Sequence, residues 1–357
     1  MGSVIAGTGM YVPDNVVTNH DLARIMDTSD EWITTRTGVK ERRFADRGVG
    51  ASDLAIEASH RALDAAGVGP SEVDVVVTAT MTPDYMAPGI AGLVQEGLGL
   101  GHIAAFDLRQ QCSGFLYGLD LADSLLTSGR GEMALVVGAE VHAGFQPWSE
   151  ASWQAVLGDG GSEIPREDYE RNSRYRSWSV IFGDGAGAMV LRKSDNDVEG
   201  VLASSLHTDG ASFELIMVPG VGSKSRPYVS SEQIEADTHL PVMDGGGLYR
   251  RAVRLMPEAA RAVATKAGIS LEDIDLIVAH QANDRITEGV RRQFKMDPQK
   301  VPSNIGGYGN TTAGTLPILF HELREAGRVN PGSLICFAAF GAGAHYGALL
   351  YREPESP

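Results

Sequence analysis

The 357-residue sequence predicts an α/β protein built from two similar halves that pack as a pseudo-twofold pair. Three observations in one register carry this expectation. Ala66-Gly67-Val68 followed by Val73 to Val77 returns, 201 residues later, as Ala267-Gly268-Ile269 followed by Ile274 to Val278. The apolar run Met133 to Gly138 returns as Leu334 to Ala339, and the helical spacing of Leu119, Ala122 and Leu125 returns as Phe320, Leu323 and Ala326. A fixed shift of this kind is the mark of an internal repeat.

The elements follow in order. Leu54, Ala58, Ala62 and Ala65 lie on one face of a helix from Ser52 to Ala66, with Ser52 as its N-cap and Gly67 as its stop. Val73 to Val77 and Met133 to Gly138 read as buried strands, and a strand near Phe106 runs into a helix starting near Ser113. Ala188 to Leu191 closes the first half as another strand. In the second half, Ile274 to Ala279 is a strand, Leu316 and Pro317 open a helix, and Leu334 to Ala339 is a strand. Short Val/Ile-rich strands alternating with helices imply sheets buried between helical layers. The halves are expected at 1–192 and 193–357, without a flexible linker between them.

Composition narrows the function. With 43% hydrophobic residues and strand-sized apolar runs, the chain is expected to be cytoplasmic and to have no membrane partner. A net charge of −16 opposes nucleic-acid binding, and opposes an acidic protein partner unless a local basic face exists. Two cysteines, Cys112 and Cys336, cannot form a disulfide framework or a multi-cysteine zinc site. Sulfur chemistry would rest on one thiol.

Cys112 sits where a strand meets a helix start, a position whose unpaired N–H groups and dipole favour thiolate. Cys336, inside an apolar strand, reads as structural. His280 follows its strand directly, at the sheet end where α/β proteins gather ligands. Asn310 lies in the glycine-rich run Gly306 to Gly314, just before the twin of the helix that follows Cys112. Each residue alone is as well explained by packing or turn formation. Together, a nucleophile and two neutral hydrogen-bond donors suit an acyl thioester and the oxyanion of an enolate. Papain-like proteases also combine Cys, His and Asn, but their local patterns are absent. The run Gly183 to Ala188 is a decoy for a dinucleotide loop, because a strand follows where a phosphate-binding helix is needed.

At these residues the sequence resembles the β-ketoacyl-acyl-carrier-protein synthase III family of the thiolase-like superfamily. The likeness covers nearly the whole chain and is most specific at Asp27 to Gly38, around Cys112, and at Ile181 to Ala188, His280 to Arg285 and Gly309 to Thr312. It implies a thiolase-like fold with α-β-α-β-α layers and an acyltransferase that initiates fatty acid synthesis. Cys112 would accept the acyl group, while His280 and Asn310 would stabilise the enolate formed as malonyl-acyl carrier protein decarboxylates. Acyl-coenzyme A would be the substrate, with no metal and no other cofactor required. Thr28, Trp32, Arg36 and Arg176 match its nucleotide contacts and Asn283 a position near the pantetheine arm.

The resemblance further implies a homodimer and a docking face for the carrier protein at Arg250, Arg251, Arg254, Arg285, Arg291, Arg292 and Lys295. Ala342 stands at an amide facing the acyl oxygen. Ala87 replaces a phenylalanine that closes the acyl pocket across the dimer, which implies room for longer or branched acyl groups. An insertion at about 143–173 is expected over the tunnel or at the dimer contact, and the role of His345 is open. A specialised relative that starts polyketide chains or joins long acyl groups is the nearer alternative. A nicotinamide-binding oxidoreductase is the distant one.

Overall fold

The computed structural model describes residues 2–158 and 163–355. The first half carries β1 (Ser3–Tyr11), β2 (Asn15–Thr18), α1 (Asn19–Ala23), α2 (Asp30–Thr37), β3 (Glu41–Phe44) and α3 (Ala51–Ala66). It continues through β4 (Val75–Ala79), α4 (Ala91–Gly97), β5 (Ala104–Leu108), α5 (Gly114–Thr127), β6 (Met133–Glu140), α6 (Glu150–Leu157), α7 (Arg166–Ser179) and β7 (Gly185–Lys193). The second half carries β8 (Gly200–Thr208), β9 (Ile216–Met217), α8 (Ser231–Glu235), β10 (Val242–Met243), α9 (Gly245–Ala267) and β11 (Leu276–Ala279). Then come α10 (Asp284–Phe294), α11 (Ile305–Tyr308), α12 (Thr315–Glu325), β12 (Leu334–Gly341) and β13 (His345–Arg352).

Two mixed sheets form the frame, in the orders β1-β7-β6-β4-β5 and β8-β13-β12-β11. The pairs β6/β4 and β12/β11 are parallel, whereas β7 and β13 run antiparallel to their neighbours. The second sheet therefore repeats the first strand for strand, without a described counterpart of β5. The 201-residue register holds at β6 and β12 and at the helix starts of α5 and α12.

Alternation along the strands explains the layering. In β6, Ala134 and Val136 face the central core with α5 and α12, while Leu135, Val137 and Ala139 face α3 and α4. In β12, Ile335, Phe337 and Ala339 face the same central core, and Leu334, Cys336 and Ala338 face α9. Strands buried on both faces read as continuous apolar runs. The result is the α-β-α-β-α sandwich, with Cys336 fully buried in its outer core. Each large side chain of the middle layer, such as Phe115, Leu119 and Phe320, contributes about 2 kcal/mol by burial.

One local expectation is corrected. Gly50, not Ser52, is the N-cap of α3, and the Ser52 amide and hydroxyl donate to Asp84. A carboxylate from the loop after β4 accepts an orphan first-turn N–H, which leaves Ser52 inside the helix. The strand expected from Ala188 begins earlier: Gly185 to Ala188 already belong to β7, so the run Gly183 to Ala188 opens a strand rather than a nucleotide loop.

β5 is an edge strand whose residues Ala104 to Asp107 are all exposed, including Phe106. The insertion forms α6 and α7, with 159–162 outside the described residues. Its Trp148 and Trp153 pack edge-on against Phe44, and Trp178 joins the same buried cluster. No described helix is long and apolar enough to cross a membrane.

Candidate active site

Cys112 lies in a single 3-10 turn, Gln111–Ser113, between β5 and α5. The matching turn of the second half, Thr312–Gly314, precedes α12, and the two turns pack against one another. Glycine permits this approach, since a Cβ on Gly138 would lie 2.3 Å from the Ala313 carbonyl oxygen. Gly341 is equally constrained, because its Cβ would lie 3.0 Å from the amides of Cys112 and Ser113.

The Thr312–Thr315 segment is the hub where the sequence-predicted residues meet. Asn310 accepts the Thr312 amide on Oδ1 at 2.8 Å. That bond sets the orientation of the carboxamide and makes Nδ2 its donor end. His280, at the end of β11 and 2% exposed, contacts the Thr315 hydroxyl through Nδ1 at 2.7 Å. Burial pushes its imidazole down to about 3, so the ring is neutral.

The Thr315 hydroxyl bridges two groups, lying 2.7 Å from Nδ1 and 2.9 Å from the Thr312 carbonyl, which also accepts the Thr315 amide. When the hydroxyl donates to the carbonyl, Nδ1 carries the imidazole proton; when it donates to Nδ1, the proton is on Nε2. Nε2 is buried and has no partner among the described residues. A buried N–H without an acceptor is costly. In its Nε2-protonated tautomer His280 presents such a donor, which suits an oxygen supplied by a ligand.

The thiol environment differs from the expectation based on the helix start. Burial pushes Cys112 up to about 12 and nearby Glu140 adds to the rise, against the amides of Cys112 and Ala342, which favour thiolate. Desolvation outweighs the dipole. The Ala342 amide is where the sequence anticipated an oxyanion donor. His345 accepts Ser113 Oγ on its carbonyl at 2.8 Å, and its ring Nδ1 pairs with Thr208 at 2.9 Å.

Sequence reasoning missed Glu140 and Thr315. Glu140, at the end of β6, is fully buried and accepts the Thr82 hydroxyl at 2.6 Å, the Met81 amide at 3.1 Å and the Ala313 amide at 3.4 Å. Burial raises its pKa against those hydrogen bonds. It ties the loop after β4 to the hub of the other half. A carboxylate ending an otherwise apolar strand was the available signal.

The nucleotide candidates gather around α2. The guanidinium groups of Arg36 and Arg176 lie 4.5 and 5.1 Å from the Trp32 ring centre. Arg176 is in the last turn of α7 and also bonds Asp27 through the main chain and carboxylate. Thr28 Oγ1 is buried without a partner. Asn283 caps α10 and donates to the Arg36 carbonyl at 3.0 Å, linking the halves.

Of the seven basic residues, Arg250, Arg254, Arg285, Arg292 and Lys295 are exposed on α9, α10 and the turn that ends α10. Arg251 is engaged by Asp209 at 2.8 Å, and Arg291 donates twice to the Val301 carbonyl, at 2.9 and 2.7 Å. Those two side chains are committed internally. Ala87 is exposed on the β4–α4 loop, beside exposed Tyr85 and Met86.

Comparison with known proteins gives concordant matches. The family profile described as 3-oxoacyl-[acyl-carrier-protein (ACP)] synthase III C terminal matches residues 264–353, and that of 3-oxoacyl-[acyl-carrier-protein (ACP)] synthase III matches 106–164 and 167–210. A beta-ketoacyl-[acyl-carrier-protein] synthase III from Caldanaerobacter subterraneus subsp. tengcongensis is 40% identical over 98% of this chain and 97% of its own. The crystal structure of 3-oxoacyl-[acyl-carrier-protein] synthase III from Aquifex aeolicus is 38% identical, with a TM-score of 0.83 over 98% of this chain and 100% of its own. A priming beta-ketosynthase of the R1128 polyketide pathway is 30% identical, with a TM-score of 0.82 over 99% of this chain and 97% of its own.

Proposed function

The chain belongs to the 3-oxoacyl-[acyl-carrier-protein] synthase III family, and from that premise we propose that it condenses an acyl-coenzyme A primer with malonyl-acyl carrier protein through an acyl-Cys112 intermediate. The observation that carries the assignment of roles is the convergence of Cys112, His280 and Asn310 on one turn, with His280 Nε2 buried and unpartnered among the described residues. In the first step the Cys112 sulfur attacks the acyl carbonyl, and the amides of Cys112 and Ala342 face the developing oxyanion. The carbon–sulfur bond to coenzyme A breaks, and the departing thiolate takes the proton lost by Cys112.

Malonyl thioester then occupies the vacated tunnel. Loss of carbon dioxide leaves an enolate whose oxygen accepts from His280 Nε2 and Asn310 Nδ2. Its carbon attacks the acyl-Cys112 carbonyl, forms the new carbon–carbon bond and returns the sulfur. Trp32, Arg36, Arg176 and Thr28 hold the coenzyme A nucleotide, and Asn283 stands at the pantetheine arm. The exposed cations of α9 and α10 supply a local basic face for an acidic carrier protein on a chain of net charge −16. The exposed edge of β5 supports a homodimer in which two first-half sheets join.

The test is mass spectrometry of Cys112 after incubation with a panel of acyl-coenzyme A thioesters, with Cys112→Ser as the control. A mass increment on Cys112 that malonyl-carrier then discharges as a 3-oxoacyl product is the expected result; no increment from any thioester would refute it. The exposed Ala87 favours a second reading, a primer longer or more branched than acetyl, as in polyketide priming. Labelling by acetyl-coenzyme A alone rejects that reading.

A further inference from the structure

Only the last turn of α7 packs into the apolar cluster, through Trp178 with Tyr175 against it; among its fourteen residues only Asn172, Trp178 and Ser179 are buried. The rest of its placement comes from polar contacts along two adjacent stripes. Arg171 and Tyr175, one turn apart, both reach Asp237, which follows α8 in the segment between β8 and α9. Arg171 Nη2 donates to one carboxylate oxygen at 2.7 Å and the Tyr175 hydroxyl to the other at 2.7 Å, with Arg174 at 3.9 Å. Asn172 and Arg176, also one turn apart, face the segment before α2. Asn172 donates to the Ile25 carbonyl at 3.1 Å, Ser173 accepts the Asp27 amide at 2.8 Å, and Arg176 holds Asp27 beside the Trp32 ring.

Asp237 is itself held in an unusual backbone, with a φ of 56°. Aspartate and asparagine tolerate this left-handed region better than most residues. The carboxylate is mostly shielded, with 13% of its side chain exposed. Burial would raise its pKa, yet the Arg171 and Tyr175 hydrogen bonds prevail and hold it low.

We infer that Asp237 is a positioning residue for coenzyme A: by clasping Arg171 and Tyr175 it fixes the rotation of the inserted helix α7, and so sets Arg176 over Trp32 to receive the adenine. The inference rests on the nucleotide site proposed above. It gives the insertion a defined task, which is to splint the second-half segment to the adenine-binding end of α2. Asp237 touches neither substrate nor thiol; it acts through the helix.

The test compares two acyl donors, acyl-coenzyme A and the same acyl thioester of pantetheine, which lacks the nucleotide. Asp237→Asn preserves shape and left-handed tolerance while removing the charge. Its expected effect is about a tenfold rise in KM for acyl-coenzyme A, with kcat and the KM for acyl-pantetheine unchanged. Tyr175→Phe, which removes only a hydroxyl, should move the same KM in the same direction by a smaller factor. An equal change with both donors, or no change with either, overturns the inference. Trp32→Ala separates the two readings: if it fails to raise KM selectively for acyl-coenzyme A, the adenine site is wrong, and if it does so while Asp237→Asn does not, only the clasp is wrong.

Discussion

Gln111 and Thr312, 201 residues apart, both hold left-handed backbone, with φ of 53° and 42°. Each sits at the same place in its half, one residue before the pair Cys112 and Ala313 that the two turns present to each other. The duplicated fold has kept a strained conformation twice, and strain of this kind costs on the order of 1–3 kcal/mol per residue. Gln111→Gly relieves the strain but adds freedom to the unfolded chain, so its stability should stay within about 1 kcal/mol of the parent. Gln111→Ile, β-branched, should lose about 2 kcal/mol. Urea midpoints check both, and equal midpoints for the two variants would count against a left-handed turn.

In the tautomer with the proton on His280 Nε2 the Thr315 hydroxyl donates to Nδ1, so Thr315→Val should leave acylation of Cys112 intact and slow condensation on the order of a hundredfold. Thr315→Ser should restore most of it. Single-turnover measurements of the two half-reactions separate these outcomes. If Val and Ser behave alike, the hydroxyl is not what orients the donor.

His280 is neutral in the fold because burial holds its pKa near 3, below the unfolded value. The unfolded chain therefore takes up a proton that the native chain refuses as pH falls from about 6.5. Stability is lost in that window at about 1.4 kcal/mol per pH unit. His142, pushed down to about 4 by burial, adds to the loss, while Asp184, raised to about 7 by burial, opposes it. The difference isolates one group: His280→Asn should flatten the fall in stability between about pH 6.5 and 4 by one proton's slope. Denaturation curves in parallel buffers measure it, and identical slopes would mean the native imidazole is charged.

Cys112, raised to about 12 by burial and Glu140, should alkylate with iodoacetamide at a rate that climbs about tenfold per pH unit from 7 to 10. A plateau near pH 7 would instead show a thiol activated by the helix start. This contrast marks where sequence reading reached its limit. The strands of both sheets, and the meeting of Cys112, His280 and Asn310 at their ends, were legible because doubly buried strands are apolar runs. The sign of the thiol shift was not, because it depends on Glu140 and on closure by residues 201 positions away. The cap of α3 by Asp84 and the hold of Asp237 on α7 were hidden for the same reason: polar partners distant in sequence leave no periodic trace.

The same limit separates the basic residues, which the sequence grouped as one docking face. Arg250 and Arg254 project from α9 into solvent, whereas Arg291 is bonded to the Val301 carbonyl through Nε and Nη2. Reversing charge at exposed positions weakens encounter with an acidic partner and its dependence on salt. Arg250→Glu with Arg254→Glu should therefore raise KM for malonyl-carrier about tenfold, flatten its salt dependence and leave KM for acyl-coenzyme A alone. Arg291→Ala should do the reverse, lowering stability by about 1–2 kcal/mol through the lost charge-assisted bonds while leaving the carrier KM near that of the parent. Kinetics at two ionic strengths, beside thermal unfolding, distinguish them, because a docking role for Arg291 would move the carrier KM as far as the double variant does.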